Sequence, residues 1–176
     1  MRVIFLDIDG VLNHPGTYAD DLAPWRREDG EIIKIPVAPE CMDRLNRLVA
    51  ETEAAIVISS SWRLFARWQD LGPALNRHGL IGEVIGETPD LINDQAWLTS
   101  WRTRHGEPFQ YELLERGWEI SEWLRCHPEI AAYVVLDDCS DMKGVAHRLV
   151  KCDPTVGLDD PDVERAKWML SLGVSP

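Results

Sequence analysis

Residues 3–13 read VIFLDIDGVLN. Four apolar residues lead directly into Asp7 and Asp9, which are one residue apart, and Gly10 follows. An apolar run this short predicts a buried strand, and this strand would deliver two carboxylates at its C-terminal end. A buried carboxylate is costly unless a cation or hydrogen-bond donors compensate its charge. The stretch therefore predicts a site for a metal ion, a proton or both.

Two other interpretations of this stretch are a plain strand-ending turn and a calcium-binding loop. A calcium loop of the EF-hand kind would continue with more oxygen ligands and a glutamate near its twelfth position. Here the apolar residues Val11 and Leu12 follow at once. We therefore favour a metal site at the end of a strand, and the rest of the chain has to supply its other ligands.

The composition is that of a soluble globular protein. The chain has 176 residues, of which 45% are hydrophobic and 27% are charged, so we expect one domain over residues 1–176. No apolar run is long enough to cross a membrane, and the start of the chain lacks the basic segment and cleavage site of a signal peptide. These features predict a cytoplasmic protein.

The cysteines and the net charge exclude some kinds of function. The four cysteines have no Cys-x-x-Cys spacing, which argues against a zinc site or a redox pair. The net charge of -12 argues against broad binding to duplex nucleic acid, because such binding needs a basic face. A local basic pocket is compatible with this charge.

Strand and helix patterns alternate along the chain. Further apolar runs predict four more strands, at residues 54–58, 83–85, 131–136 and 148–152. Helical patterns begin at Pro39, Leu64, Arg116 and Asp160, and the second is expected to break at Gly72-Pro73 and to resume until Gly79. This alternation predicts an α/β fold with a doubly wound parallel sheet of about five strands.

Two segments fall outside this alternation. Residues 13–36 are polar and rich in turns, and the Asp29-Gly30 pair within them predicts a small hairpin or flap. Residues 87–111 show no clear periodicity, so we expect a loop-rich insertion there.

Three of the predicted strands end in polar clusters. Asp7 and Asp9 follow the first strand, residues 59–63 (SSSWR) follow the second, and Asp137 and Asp138 follow the fourth. In doubly wound sheets the ligand lies beyond the carboxyl ends of the strands, where the strand order reverses. We therefore expect the three clusters to line one crevice.

These clusters carry a family resemblance. Residues 7–11 (DIDGV) resemble the first motif of the haloacid dehalogenase (HAD) superfamily of magnesium-dependent phosphohydrolases, and Ser59, Arg116 and Asp137-Asp138 follow in the order of its other motifs. The resemblance implies a Rossmann-like HAD fold with only small cap insertions. Trp62-Arg63 and two longer stretches, residues 116–120 (RGWEI) and 136–142 (LDDCSDM), resemble the HAD domain of RNA-repair phosphatases.

The resemblance implies a role for each aspartate. Asp7 would be the nucleophile that forms an aspartyl phosphate, and Asp9 would protonate the leaving oxygen and later activate water. Mg²⁺ would be held by Asp7, by the backbone carbonyl of Asp9 and by one of the two later aspartates. We favour Asp138 as the direct ligand and Asp137 as its helper, and Gly10 would let the chain turn away from the site.

Other residues would bind the phosphate. We expect Ser59 to donate a hydrogen bond to a phosphoryl oxygen, with Ser60 as second choice and Ser61 as a helix cap. Arg63 is either a second phosphate clamp or a solvated arginine at a helix start. Arg116 stands where the family usually has lysine, which keeps the positive charge.

Asp141 has two possible roles. It could bind a water molecule on the metal, or it could cap the helix that follows it.

These expectations combine into one function. We expect a magnesium-dependent phosphomonoesterase whose partner is a phosphorylated substrate, either a nucleotide or the end of a nucleic acid, with the 3′ end favoured by the resemblance alone. The alternatives are a small-metabolite phosphatase, a dehalogenase and a phosphoryl-binding protein without activity; the retained Asp7 and Asp9 argue against the last two. A platform for bases could be formed by Trp25, Arg26, Arg27, Trp97, Trp101, Arg102 and Arg104. The alternative for Trp97 and Trp101 is that the pair simply covers a core.

Overall fold

A computed structural model of the protein describes residues 1–17, 25–26, 30, 32–105 and 115–173. Its centre is a five-stranded parallel sheet of β1 (Arg2–Leu6), β4 (Ala55–Ile58), β5 (Val84–Glu87), β6 (Ala132–Asp137) and β7 (Leu149–Lys151). The order across the sheet is β5-β4-β1-β6-β7. The chain thus winds outward from β1 on one side and then on the other, which confirms the predicted doubly wound α/β fold.

Four of the described helices lie between strands of the sheet in the chain, and the fifth follows the last strand. Among the described residues they are α1 (Pro39–Thr52), α2 (Trp68–Arg77), α3 (Gln95–His105), α4 (Arg116–Cys126) and α5 (Asp160–Ser171). The predicted helix starts at Pro39, Arg116 and Asp160 are confirmed. Within the described part of the chain, none of the helices combines the length and the apolar character needed to cross a membrane.

The two faces of the sheet are covered by different helices. Successive side chains of a strand point to opposite faces, so β1 contributes to two apolar clusters. Ile4 and Leu6 pack with residues of α1, α2 and α5. Val3 and Phe5 pack on the other face, where the ring of Trp123 from α4 meets Phe5 edge-on with centroids 5.4 Å apart. Burial on both faces explains why the strands read as nearly continuous apolar runs.

The predicted break at Gly72-Pro73 is wrong, because α2 continues through both residues. The absence of a side chain at Gly72 lets this helix pack closely on β5, since a Cβ atom there would lie 3.3 Å from the Cβ atom of Val84. Pro73 removes one helical N–H donor. The packing of α2 against the sheet outweighs these two local penalties.

The prediction of loops over residues 87–111 is also wrong in part, because α3 occupies Gln95–His105. The carboxylate of Asp94 accepts a hydrogen bond from the backbone N–H of Trp97, 2.9 Å away, at the start of this helix. The apolar residues Trp97, Leu98 and Trp101 pack in a small cluster of their own with Leu91. This segment has few apolar residues and many polar ones, so the helical spacing of its apolar residues is weak in the sequence.

Two short strands pair in the segment where the hairpin or flap is predicted. Strands β2 (Trp25–Arg26) and β3 (Ile32–Ile33) pair antiparallel, with Trp25 opposite Ile33. Asp29 of the predicted turn lies outside the described residues.

Candidate active site

The ends of three neighbouring strands meet beside the centre of the sheet. The backbone N–H of Asp7 donates to the carbonyl of Leu136 in β6 (3.0 Å), and that of Ser59 donates to the carbonyl of Leu6 in β1 (2.9 Å). The residues that follow β1 and β4 are therefore aligned with the last residues of β6. The structure places the three predicted polar clusters along one edge of the sheet.

Asp7 is held by donors on both of its carboxylate oxygens. The residue is 4% exposed, and its Oδ1 accepts a hydrogen bond from the backbone N–H of Ile8 at 2.7 Å. Its Oδ2 accepts from Nη1 of Arg116 at 2.5 Å, and the same nitrogen donates to Oδ2 of Asp137 at 2.5 Å. Arg116 therefore bridges the two buried carboxylates that end β1 and β6.

The proton affinities of these groups reflect their proximity. Burial raises the pKa of Asp137, the charge of Arg116 opposes the rise and the charge of Asp7 adds to it, and together these effects bring the pKa to about 7. Burial alone would lower the pKa of Arg116, but the two carboxylates raise it above its ordinary value. Arg116 is thus a permanent positive charge between acidic groups.

The same corner of the site can hold a metal ion. Asp7, Asp137 and Asp138 each offer a carboxylate oxygen, and these atoms lie within 4.8 Å of one another. A carboxylate that binds a metal is deprotonated, so in the metal-bound state these three groups would carry three negative charges against the one positive charge of Arg116. Carboxylate oxygens are the ligands that Mg²⁺ prefers in proteins, so the donor set fits this ion.

A second group of possible metal ligands is less suitable. Asp137, Cys139 and Asp141 also lie within 4.8 Å of one another. Mg²⁺ prefers oxygen ligands to sulfur, so this group, which includes the Cys139 thiol, fits the ion less well than the three aspartates do.

Asp9 has its own pair of donors, and the sequence analysis predicted neither. Its Oδ1 accepts a hydrogen bond from Nδ2 of Asn13 at 2.8 Å, and its Oδ2 accepts from the indole Nε1 of Trp62 at 2.9 Å. The side-chain oxygen of Asn13 in turn accepts from the backbone N–H of Gly10 at 3.0 Å. The carboxylate of Asp9 is exposed, yet it is fixed in direction by these contacts.

Gly10 is needed where the chain turns. Its φ of +71° lies in the left-handed region that favours glycine. A Cβ atom there would lie 2.7 Å from Cγ of Asp138, closer than such atoms can approach. The structure therefore gives Gly10 a backbone role, since it lets the first and fourth motifs approach each other.

The serines after β4 differ in their surroundings. Ser59 is fully buried, and its hydroxyl has no hydrogen-bond partner among the described residues. The hydroxyl of Ser60 accepts from the backbone N–H of Trp62 at 3.4 Å and caps a short 3₁₀ turn, Ser61–Leu64. The expectation that Ser61 is the cap is wrong, because Ser61 is the first residue inside this turn.

Arg63 is engaged by the protein itself. It is buried; its Nε donates to the carbonyl of Thr88 (3.1 Å), its Nη1 to that of Ser60 (2.9 Å), and its Nη2 to the carboxylate of Glu119. Burial raises the pKa of Glu119, and the charge of Arg63 opposes the rise. These contacts argue against a phosphate clamp, and the burial of Arg63 contradicts the alternative of a solvated arginine.

The start of α4 is locked to the loop after β6, and this places Arg116. The carboxylate of Asp141 accepts from the backbone N–H of Arg116 at 3.3 Å, and its carbonyl accepts from that of Gly117 at 3.0 Å. A Cβ atom on Gly117 would lie 2.3 Å from the carbonyl oxygen of Lys143. Asp141 therefore caps α4, which precedes it in the chain, and not a helix that follows it.

The predicted platform for bases is not formed by the tryptophans of α3. Trp97 is 8% exposed, and Trp101 packs against the same small cluster. Arg102 is exposed on this helix. The side chains of Trp25, Arg26, Arg27 and Arg104 lie outside the described part of the structure.

The buried pair of Arg63 and Glu119 yields a prediction about stability. Glu119→Ala leaves the guanidinium buried without its carboxylate, so we expect a loss of about 3–5 kcal/mol in the free energy of unfolding, measured with urea. Glu122→Ala is the matched control, because it removes an ion pair with Arg125 that lies on the surface of the same helix. That variant should lose less than about 1 kcal/mol. Equal losses in the two variants would contradict the assignment.

Comparison with known proteins agrees with these observations. A family model described as the HAD domain in Swiss Army Knife RNA repair proteins matches residues 3–163. The matched range contains Asp7, Asp9, Ser59, Arg116 and the Asp137-Asp138 pair. A comparison with curated proteins found no match. The chain belongs to the family of HAD domains found in Swiss Army Knife RNA repair proteins.

Proposed function

We propose that the protein is a magnesium-dependent phosphomonoesterase that forms an aspartyl phosphate on Asp7. Its substrate is a terminal phosphate of a nucleic acid or nucleotide, with the 3′ end as the favoured position. Family membership supports phosphatase chemistry on nucleic acid. The observation that carries the proposal is the contrast between two aspartates: Asp7 is buried and pinned by Arg116, whereas Asp9 is exposed and held by neutral donors.

In this contrast the buried Asp7 corresponds to the nucleophile and the exposed Asp9 to the general acid. An oxygen of Asp7 attacks phosphorus, the bond from phosphorus to the leaving oxygen breaks, and Asp9 gives its proton to that oxygen. Asp9 then takes a proton from water, which attacks the aspartyl phosphate, releases inorganic phosphate and restores Asp7. The contacts with Asn13 and Trp62 keep Asp9 in one direction through both steps.

Asp7, Asp138 and Asp137 would hold Mg²⁺ together with the backbone carbonyl of Asp9. When bound, the ion supplies positive charge that offsets the charge of the phosphoryl oxygens. Asp137 is fully buried, and its carboxylate accepts hydrogen bonds from Arg116 and from the backbone N–H of Cys139 (2.9 Å). Asp138 is only partly buried, and this difference in exposure supports it as the direct ligand, with Asp137 as its helper.

Two further groups would bind the phosphoryl oxygens. The hydroxyl of Ser59 is buried without a partner among the described residues, which is costly unless a ligand supplies an acceptor. Arg116 has a fork of donors of which the two carboxylates use one nitrogen. Among the contacts of the described residues, both groups therefore keep unused hydrogen-bonding capacity at the edge of the sheet where Asp7 lies.

The first prediction concerns the nucleophile. Asp7→Asn should abolish phosphate release from an aryl phosphate, because it removes the attacking oxygen and one metal ligand together. Wild-type turnover should stop in excess chelator and return on addition of Mg²⁺, and circular dichroism should confirm that the variant is folded. Turnover that is unchanged by the chelator would contradict the metal dependence.

Asp9→Asn should behave differently. The nucleophile and the backbone carbonyl persist, so calorimetry should find Mg²⁺ binding nearly intact. The rate should fall by about a hundredfold to ten-thousandfold, the usual contribution of general acid and base catalysis. A variant that no longer binds the metal would show that the role of Asp9 is to hold the ion.

The substrate class can be tested with three phosphate esters. We expect kcat/KM to be highest for a 3′-phosphorylated oligonucleotide, lower for its 5′-phosphorylated counterpart and lowest for a hexose phosphate. A hexose phosphate that is the best of the three would identify a small-metabolite phosphatase instead.

A further inference from the structure

An apolar groove lies next to Asp9. It has a volume of about 460 Å³, and one wall comes from the β3 segment and the other from the 3₁₀ turn after β4. Its lining residues are Ile32, Ile33, Lys34, Trp62, Phe65 and Ala66. A space of this size accommodates a ligand larger than a phosphate ion.

Two of the apolar side chains in this groove are unusually exposed. Phe65 is 79% exposed and Ile32 is 46% exposed. They face the groove from opposite walls. Exposed apolar side chains that cluster beside a polar site indicate a binding surface, whereas single exposed apolar residues scattered over a protein are ordinary.

Trp62 joins the groove to the chemistry. Its indole N–H donates to Asp9 at 2.9 Å, and the same side chain lines the groove. In phosphoryl transfer the attacking and leaving oxygens lie roughly in line on opposite sides of phosphorus. With Asp7 attacking, the leaving oxygen lies beside Asp9, and the rest of the leaving group extends towards Trp62.

We propose that this groove binds the nucleoside whose hydroxyl carries the scissile phosphate, with its base stacked on Phe65 and with Lys34 paired to the next phosphate along the strand. This inference rests on the proposed function and names the part of the substrate that the site recognises. An aromatic face stacks on any base, so it provides recognition without dependence on sequence.

The chemistry of the lining favours a nucleoside over a sugar. Among the described lining residues, Lys34 alone carries a charge, and no carboxylate or amide side chain is present to bind a ring of hydroxyl groups. A base offers a flat apolar face to Phe65 and Ile32. A hexose would leave most of its hydroxyl groups without partners there.

The other side of the site is unsuited to a polyanion. A smaller cavity of about 200 Å³ is lined by Arg116 and the Arg63–Glu119 ion pair, together with Asp90, Glu115 and Asp141. Its carboxylates outnumber its guanidiniums, and this excess of negative charge disfavours the phosphates of a nucleic acid strand. The nucleic acid strand therefore leaves the site over the groove, where Lys34 is the charged residue among the described lining residues.

The test compares 3′-phosphorylated oligonucleotides that differ in the terminal nucleotide, which either carries its base or is abasic. Phe65→Ala should lower kcat/KM on the base-bearing end by about ten- to a hundredfold, the usual effect of losing one stacking contact. The same variant should leave the abasic end unchanged, and Phe65→Trp should retain activity on both. Trp168→Ala is the control, because it removes an aromatic side chain that is 60% exposed on α5.

Lys34→Gln tests the adjacent phosphate. It should lower kcat/KM on the oligonucleotide, which has a phosphodiester next to the terminal nucleoside. It should leave kcat/KM on a nucleoside 3′-monophosphate unchanged. Equal activity of wild type and Phe65→Ala on the base-bearing end would overturn the groove assignment and leave the phosphatase intact. Failure of the wild-type protein to release phosphate from any of these substrates would overturn the proposed function itself, and the groove assignment with it.

Discussion

The contact between Arg116 and the carboxylates of Asp7 and Asp137 is the interaction on which the site depends. Because β1 and β6 are neighbours, their C-terminal carboxylates meet in the interior, where little water screens them. Their repulsion opposes the strand pairing that creates the sheet. The guanidinium of Arg116, at the start of α4, compensates this repulsion. The packing of α4 against the sheet and the charge balance of the site therefore depend on each other.

The sheet and its aspartates could be predicted from the sequence because their signals are local. A strand buried on both faces reads as an apolar run, and Asp7 and Asp137 stand directly at the ends of such runs. The convergence of these ends follows from the topology of doubly wound sheets and needs no knowledge of side-chain contacts.

The contacts between segments could not be predicted in this way. The hydrogen bond from Trp62 to Asp9 joins residues 53 positions apart, and Arg63 is held by Thr88 and Glu119 on two other elements. The sequence around Arg63 does not indicate whether its side chain is buried or exposed. For α3 the local signal is weak, and the helix is explained by the Asp94 hydrogen bond at its start and by the packing of Trp97 and Leu98.

Gly10 and Gly117 fix how closely the segments around the site can pack. At each of them two chain segments cross with no space for a methyl group, so any larger residue would displace Asp138 or the loop that fixes Arg116. The side chains of Ile32 and Phe65 are exposed, so smaller residues can replace them with little loss of packing. The groove is therefore the part of this region that is open to redesign.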